Sequence, residues 1–309
     1  MIVTVTPNPS IDRTLVIPPL VRGSLVRARS VSAEAGGKGI NVSRVLAIQA
    51  CPTVAVAPLS DASEAAFRAL LRDTVPLEAI RIRGDARTNV SLVESDGTVT
   101  KVNEPGPAIS AGEVDRVIDR VAQLGASARW VVASGSLPPG APADLYARIA
   151  RSLPPGVRFA VDADGEALRS CLGEPIALIK PNHKELETLA GHDLPTLGDV
   201  VAAAEEIVAA GADTVLVSLG PDGAVVVDAT GVLHAEARID DARNTVGAGD
   251  ALLAGYLAAG ARRDNLGHAV AWSVAACRSP GTRPRLLEPR DLDAVVVHSA
   301  TVASRQLAA

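Results

Sequence analysis

A regular alternation of strand-like and helix-like patterns in the later two thirds of the chain most constrains its fold. Short apolar runs predict strands at 130–133, 158–161, 176–179 and 213–218, and helical periodicity predicts helices at 110–124, 143–152 and 197–210. Hairpin-like strands follow at 224–228 and 232–237, and helical patterns dominate after Gly249. Strands that alternate with helices form parallel sheets covered by those helices. The sequence therefore predicts an α/β fold with a mostly parallel sheet.

The first third opens with a strand-helix-strand pattern at 2–6, 38–48 and 53–57, into which two other segments are inserted. Residues 13–35 are rich in arginine and alternate in places. Residues 80–103 hold two strand-like runs around the turn dipeptide Asp96-Gly97. We expect insertions at about 13–35 and 80–105 to form a small sheet, or lid. No linker divides the core, so one domain over 1–309 is predicted.

Composition excludes several classes of protein. Aromatic residues make up only 2% of the 309 residues and the formal net charge is -5, so no nucleic-acid partner is expected. Cysteines at 51, 171 and 277 fit neither a disulfide framework nor a zinc site. No apolar run approaches the roughly 20 residues that cross a bilayer, and the N-terminus lacks the pattern of a signal peptide. We expect a protein of the reducing cytoplasm without a membrane partner.

A glycine-rich turn, Gly247-Ala248-Gly249-Asp250, lies directly before an apolar helical run. Backbone N–H groups at a helix start, together with the helix dipole, can bind a phosphoryl group in transfer. An aspartate held there can accept the proton of an attacking hydroxyl. Asp250 is therefore a candidate catalytic base, and Gly247, Ala248 and Gly249 form a candidate anion hole. The alternative is that Asp250 only stabilises the first turn of the helix.

A second glycine-rich segment, Gly36-Gly-Lys-Gly39, also precedes a helix. Backbone without side chains can approach a ligand closely there, and Lys38 and Asn41 can reach it. The alternative is a flexible loop that closes onto the helix. The spacing of a P-loop does not occur in the sequence, and neither does the dinucleotide-binding fingerprint, which disfavours an oxidoreductase. The five histidines have no metal-ligand spacing.

Six motifs carry a family resemblance. They are Asn8-Pro-Ser-Ile-Asp12, Gly36-Gly-Lys-Gly-Ile-Asn41, Ser134-Gly-Ser-Leu-Pro-Pro-Gly140, Lys180-Pro-Asn-x-x-Glu185, Ser218-Leu-Gly220 and Asn244-Thr-Val-Gly-Ala-Gly-Asp250. In this order they resemble the ribokinase-like, or PfkB, family of carbohydrate kinases, from the first strand to about residue 278. The resemblance implies a three-layer α/β/α domain with a small β-sheet lid, ATP as the phosphoryl donor with Mg2+, and a sugar as the acceptor.

The resemblance also implies a sugar site. Its residues would be Asp12, Gly37, Lys38, Asn41, Ser134 and Ser136. A carboxylate such as that of Asp12 can accept hydrogen bonds from two sugar hydroxyls, although Asp12 could instead be a turn residue. Arg87, Asn89 and Lys101 resemble lid residues that bind the phosphate already on the sugar, a role that suits the planar fork of an arginine. The alternative for Arg87 and Lys101 is a solvated hairpin face.

A nucleotide site is implied as well, with Lys180, Asn182, Ser218, Gly220 and Gly223 around it. Asn182 and Glu185 resemble the pair that organises Mg2+ and its waters beside the nucleotide phosphates. Few protein ligands are expected because Mg2+ usually keeps several waters. Glu185 could also stabilise the start of a helix, and the two roles could coexist.

Within the family the chain most resembles bacterial 1-phosphofructokinases, with tagatose-6-phosphate kinases very close. The features are Lys38, the Arg87 segment and Asn103-Glu-Pro-Gly-Pro107. Two segments depart from that subgroup: Ser91 stands where lysine is frequent, and residues 278–285 are basic where small apolar residues are commoner. Fructose 1-phosphate is the expected substrate, with tagatose 6-phosphate or fructose 6-phosphate as alternatives. A non-catalytic sugar-phosphate sensor is the alternative of another class. A homodimer through the lid is expected.

Overall fold

The computed structural model describes residues 1–309 except 73, 280, 282, 299–301 and 309. Its strands are β1 (Ile2–Val5), β2 (Ser10–Val16), β3 (Ser30–Gly36), β4 (Thr53–Leu59), β5 (Leu77–Arg81), β6 (Arg87–Val93), β7 (Val99–Asn103), β8 (Trp130–Ser134), β9 (Arg158–Asp162), β10 (Leu178–Ile179), β11 (Thr214–Ser218), β12 (Ala224–Asp228), β13 (Gly231–Ala237) and β14 (Val295–His298). Its helices are α1 (Lys38–Ile48), α2 (Asp61–Leu71), α3 (Ala111–Gly125), α4 (Leu145–Ser152), α5 (Gly165–Arg169), α6 (His183–Ala190), α7 (Leu197–Ala209), α8 (Ala248–Ala258), α9 (Leu266–Cys277) and α10 (Pro289–Asp293).

Ten strands form one large sheet in the order β14-β13-β12-β11-β10-β9-β8-β1-β4-β5. The seven strands from β11 to β5 pair in parallel, whereas β12, β13 and β14 add to the edge in antiparallel fashion. The predicted α/β fold with a mostly parallel sheet is confirmed. Because the strands are parallel, the carboxyl ends of β1, β8, β9 and β11 meet at one edge, where the candidate site residues cluster.

Helices cover both faces of this sheet, since alternate strand residues point to opposite sides. On one face, Val131 and Ala133 of β8 belong to the core formed with α3, α4 and α7. On the other, Trp130 and Val132 belong to the core formed with α1, α8 and α9. Residues 250–257 of α8 are all buried, because this helix lies inside the molecule and is apolar on every side.

A separate four-stranded sheet has the order β3-β2-β6-β7. It is built from the two predicted insertions: β2 pairs in parallel with β6, so that Asp12 lies opposite Asn89. Residues 80 and 81, predicted within the second insertion, instead end β5 of the large sheet, where Ile80 pairs with Pro58 and is buried. The single domain and the exact limits of its insertions stay predictions.

Several elements depart from the pattern-based expectations. β10 spans two residues rather than the four predicted at 176–179. A strand, β14, follows the helices after Gly249 and pairs with β13. Within the described residues, none of the helices has the length and apolar character needed to cross a membrane.

Candidate active site

The catalytic turn predicted at residues 247–250 lies at the start of α8. Gly247 has φ 80, a left-handed conformation that favours glycine, and the helix begins at Ala248. The Asp250 carboxylate is buried, and its Oδ2 accepts a hydrogen bond from Asn41 Nδ2 at 2.9 Å. First-turn N–H groups such as those of Gly249 and Asp250 have no acceptor within the helix. The Ala248 N–H, by contrast, donates to Thr245 O at 3.2 Å in this conformation.

A buried ionic group lies beside this turn. Asp162, the last residue of β9, places Oδ1 2.8 Å from Lys38 Nζ and Oδ2 3.2 Å from Lys180 Nζ. Lys38 Nζ also lies 3.2 Å from Glu185 Oε1. Lys180 is close to the glycine turn, since a Cβ built on Gly249 would lie 3.6 Å from its Nζ. Two cations and three carboxylates, including Asp250, therefore share one small volume.

These neighbours shift the ionisation of the group. Burial raises the pKa of Asp250 to about 7, and the charge of Asp162 acts in the same direction, whereas the bond from Asn41 opposes it. Burial would raise the pKa of Asp162 too, but the charges of Lys180 and Lys38 hold that pKa below its usual range. Burial disfavours the charged form of Lys38, yet the charges of Asp162 and Glu185 raise its pKa. Asp250 therefore has a higher pKa than Asp162, although both carboxylates are buried.

Two glycines explain why α1 starts beside the small sheet. Gly37 has φ 117, and a Cβ there would lie 2.5 Å from Thr6 Cγ2. A Cβ on Gly36 would overlap the Asp12 carboxylate. Only glycine lets the chain pass this close to both neighbours and then turn into a helix. The turn delivers Lys38 to Asp162 and, one helical turn later, Asn41 to Asp250.

The predicted sugar residues meet between the two sheets. Asp12 Oδ1 accepts hydrogen bonds from Ser10 Oγ at 2.7 Å and from Asn89 Nδ2 at 3.0 Å. Arg87 Nη2 lies 3.3 Å from Ser136 Oγ, which joins the small sheet to the loop after β8. Burial lowers the pKa of Arg87, and the charge of Asp12 opposes this effect. Asp12 also lines a cleft together with Asn41, Gly247 and Arg283.

Unpaired polar atoms mark the same region. In the described part of the chain, eight buried side-chain polar atoms have no hydrogen-bond partner. Three of them belong to Arg87, Asn89 and Ser134, and a fourth, Asp162 Oδ2, has only its ion-pair contact with Lys180. Buried polar atoms in native proteins nearly always have partners. The concentration of unpaired atoms among candidate site residues indicates a place for a polar ligand or its waters.

Lys101 makes no polar contact with the other described candidate residues of the sugar site. It lies exposed on β7, opposite Ser91. Among the described residues, no hydrogen bond or ion pair connects it to the other candidates. Its predicted role at the sugar phosphate stays a prediction.

The predicted nucleotide residues lie around the end of β11. Asn182 forms a parallel bridge with Ser218, which brings the Lys180 segment and this strand end together. A short 3-10 turn, Gly220–Asp222, follows, with Gly220 at φ 59 and Gly223 at φ 84. A Cβ on Gly223 would overlap Ala235 O, so the turn packs tightly on β13.

The fit of Mg2+ depends on which oxygens are free. Asn182 Oδ1 accepts the Glu185 N–H at 2.8 Å, and Glu185 Oε2 accepts the Asn182 N–H at 2.8 Å, so the pair forms a capping box on α6. Glu185 Oε1 binds the Lys38 ammonium, which lies between this carboxylate and Asp162. No group of three or more metal-ligating side chains occurs among the described residues. The Glu185 and Asp162 carboxylates are both paired with ammonium groups in this conformation, so Mg2+ would meet them through its own waters, as its sparse protein coordination allows. Asn182 Oδ1 accepts the cap bond.

Asp162 and Arg283 were not predicted from the sequence as site residues. The signal for Asp162 was available, because an acidic residue at the carboxyl end of a buried parallel strand lies where α/β proteins bind ligands. Arg283 lies 3.6 Å from Glu34 Oε1 and lines the cleft, but the basic segment gave no indication of this position. A cavity of about 620 Å³ lies at the opposite edge of the large sheet, around Arg158 and Thr214, and none of the candidate site residues lines it.

Comparison with known proteins adds to this geometry. Residues 6–283 match the sequence profile of a family described as pfkB family carbohydrate kinase. The chain is 38% identical over 264 residues to a 1-phosphofructokinase of Xanthomonas campestris pv. campestris, which covers 83% of each protein. It is 34% identical to the ATP-dependent 6-phosphofructokinase isozyme 2 of Escherichia coli, over 89% of this chain and 90% of that protein. The crystal structure of phosphofructokinase-2 from Escherichia coli in complex with potassium has a TM-score of 0.86 at 33% identity and covers 94% of this chain and 96% of that one.

Proposed function

Because the chain belongs to the pfkB family of carbohydrate kinases and is a sugar-phosphate kinase, we propose that it converts fructose 1-phosphate and ATP into fructose 1,6-bisphosphate and ADP. The substrate is chosen from relatives that are named 1-phosphofructokinase. The acceptor hydroxyl oxygen forms a bond to the γ-phosphorus as the bond from that phosphorus to the β,γ-bridging oxygen breaks. The hydroxyl proton goes to Asp250.

One observation carries the assignment of the base: Asp250 is buried at the start of α8, hydrogen-bonded to Asn41, with a pKa of about 7. A base with a pKa near the working pH is partly ionised and still accepts a proton readily. The N–H groups of Gly247, Gly249 and Asp250 would stabilise charge on the transferring phosphoryl oxygens, and the Ala248 N–H would join them once it leaves Thr245 O.

The sugar would lie between Asp12 and Asp250. Asp12, held by Ser10 and Asn89, can accept from sugar hydroxyls. Arg87, with an unpaired Nε, would bind the existing phosphate together with Asn89 and Lys101. The remaining members of the proposed sugar site are Gly37, Lys38, Asn41, Ser134 and Ser136.

At the other end, Lys180, Asn182, Ser218, Gly220 and Gly223 would receive ATP. Its Mg2+, held through Glu185 and Asp162 with several waters, would supply positive charge beside the nucleotide phosphates. Lys180 is buried within reach of both Asp162 and the glycine turn. Its ammonium can therefore neutralise phosphate charge at the point of transfer.

Asp250→Asn tests the base directly. The amide keeps the shape and accepts no proton, so kcat should fall about 10²- to 10⁴-fold with a modest change in KM. Steady-state kinetics with Mg2+ and ATP measure both constants. Glu166→Gln, an acidic residue in the first turn of the short helix α5, is a matched control that should leave them unchanged. Near-normal turnover in Asp250→Asn would remove the proposed base.

The substrate is tested by comparing kcat/KM for fructose 1-phosphate, fructose 6-phosphate and tagatose 6-phosphate, since specificity lies in that ratio. We expect the largest value for fructose 1-phosphate. A higher value for another sugar would make the chain a kinase of that sugar, as the Ser91 departure allows. Sugar-phosphate binding without ATP consumption would favour the sensor.

A further inference from the structure

The last described segment of the chain, residues 302–308, lies against the turn that follows β11. Arg305 Nη2 donates to Asp222 Oδ1 at 3.1 Å, and the Ala308 N–H donates to Asp222 Oδ2 at 2.7 Å. Asp222 ends the 3-10 turn Gly220–Asp222 and directly precedes Gly223. Both oxygens of this buried carboxylate are thus held from the C-terminal segment.

Arg305 is itself fixed on the large sheet. Its Nη2 also donates to Glu236 Oε2 at 2.5 Å, and Glu236 Oε1 binds His298 Nε2 at 3.0 Å. The hydrogen bond from Arg305 lowers the pKa of Glu236 to about 2, so this carboxylate is ionised at neutral pH. The bonds of Arg305 are therefore charge-assisted and stronger than those between neutral groups.

Backbone bonds hold the segment in place independently of Asp222. The Leu197 N–H donates to Arg305 O at 2.9 Å, and the Leu307 N–H donates to Pro195 O at 3.0 Å. Thr196 and Gln306 add an antiparallel bridge at the start of α7. These backbone bonds fix the position of Arg305 beside the turn.

The 220–223 turn depends on contacts with the rest of the molecule for its conformation. Gly220 and Gly223 both have positive φ, and such residues have wide conformational freedom without contacts from the rest of the molecule. Leu219 N–H donates to Gly223 O at 2.8 Å, which closes the turn. Asp222 connects the turn to the rest of the molecule. Its carboxylate binds the C-terminal segment, and its carbonyl accepts a hydrogen bond from His234 Nε2 at 2.8 Å.

We propose that residues 302–308 are a positioning element of the nucleotide site, in which Arg305 acts through Asp222 to hold the 220–223 turn in the form that receives ATP. This inference rests on the proposed function, which puts Ser218, Gly220 and Gly223 beside the nucleotide. Arg305 is a positioning residue and does not itself contact the nucleotide. The C-terminal segment is thereby part of the phosphoryl-donor site and separate from the sugar site.

The experiment compares ATP affinity, by calorimetry without sugar, with the kinetic constants of the same variants. Arg305→Ala should weaken ATP binding and raise its KM by about 10-fold, while kcat and the KM for the sugar phosphate stay within about 2-fold. Arg305→Lys should restore most of the affinity, because one nitrogen carries both bonds and an ammonium can replace it. The double variant Asp222→Asn with Arg305→Ala should bind ATP no more weakly than the weaker-binding of the two single variants, because the two residues act as one unit.

Arg148→Ala, which removes a surface ion pair with Asp115, is the matched control and should leave ATP affinity unchanged. If Arg305→Ala does not fold, Ala308→Pro removes one donor to Asp222 and should still weaken ATP binding by about 3-fold. Unchanged ATP affinity in these variants, or equal weakening of both substrates, overturns the inference and leaves the proposed kinase intact. Failure of the unaltered protein to bind ATP overturns both.

Discussion

At the scale of the residue, Asp250 is under opposing influences. Burial and the charge of Asp162 raise its pKa, whereas the hydrogen bond from Asn41 and the charges of Lys180 and Lys38 lower it. The resulting value of about 7 suits a base that must be both ionised and able to take a proton. Its base strength is therefore set by side chains from three parts of the chain: β9, α1 and the residue that follows β10.

This balance predicts a pH profile and two opposite shifts. Since a carboxylate base must be deprotonated, kcat/KM should rise with pH to a plateau, with a midpoint near 7 in the unliganded enzyme. Asn41→Ala removes the bond that favours the carboxylate, so the midpoint should move up by about 1 unit. Asp162→Asn removes a charge that opposes ionisation, so it should move down. Shifts in the same direction would contradict this account, and circular dichroism checks that both variants fold.

The same shift predicts how stability depends on pH. The folded pKa of Asp250, about 7, lies above that of a free carboxyl, about 3.9. Its contribution to stability is therefore complete below about pH 4 and is lost as the pH rises through about 7. Relative to the unaltered protein, Asp250→Asn should gain about 2 to 3 kcal/mol in free energy of unfolding between pH 5 and pH 8. Urea titrations at the two pH values measure this gain, and an equal difference at both would refute it.

At the scale of the element, the turn into α1 links the sugar residues to the ionic group. Gly37→Ala would combine a left-handed φ with a Cβ 2.5 Å from Thr6 Cγ2. We expect a loss of about 2 kcal/mol or more in free energy of unfolding and a fall of at least about 10-fold in kcat/KM, because Lys38 and Asn41 would be displaced. Denaturant titration and kinetics measure the two effects.

Gly156→Ala is the control for that prediction. Gly156 also has a left-handed φ, 87, but its Cβ would meet open space between α4 and β9. The Gly156→Ala variant should lose about 1 kcal/mol in free energy of unfolding and keep its kcat/KM. If Gly37→Ala behaved like Gly156→Ala, close packing at Thr6 would not be what places α1.

Elements with strong local signals could be predicted from the sequence. The helix predicted at 38–48 has those bounds in the structure, because glycines precede it and its apolar residues repeat with helical spacing. The hairpin around Asp96-Gly97 was also predicted from neighbouring residues alone, and β6 and β7 pair around that turn. Asp250 and Asn41 were predicted from their motifs, although the bond between them spans 209 positions and no spacing reveals it.

What could not be predicted depends on distant partners. β14 consists of three valines and His298, and it becomes a strand because β13, some 60 residues earlier in the chain, offers an unpaired edge. α2 and β5 received no assignment, although Ser60 caps α2 and β5 adds to β4. Asp162 gains its importance from Lys38 and Lys180, which only the folded sheet brings to it.

At the scale of the whole molecule, one helix connects the catalytic turn to the core. α8 starts at Ala248, with Asp250 in its first turn, and packs between α1 and α9 in the core on one face of the large sheet. Trp272 of α9 packs so closely on Gly255 that a Cβ there would lie 2.7 Å from its ring. Because buried cores are close-packed, the position of Asp250 is fixed by the same contacts that stabilise the fold.

The small sheet, in contrast, is poorly covered. Six of the fifteen large apolar side chains exposed in the described residues lie on it or in the loop between β2 and β3: Leu20, Val21, Leu25, Val31, Val99 and Val102. β7 is an edge strand whose residues are all exposed. Exposed edges and apolar patches favour association with another chain.

We therefore predict a homodimer through the small sheet. Sedimentation velocity should give a dimer at working concentration, and Val31→Lys combined with Val102→Lys should give a monomer, because charges would have to be buried at the interface. Val296→Lys is the matched control: it is similarly exposed, at 54% against 57% for Val102, but lies on β14 at the edge of the large sheet. It should leave the dimer intact. A monomeric unaltered protein would refute the dimer, and dissociation by Val296→Lys alone would place the interface at the edge of the large sheet instead.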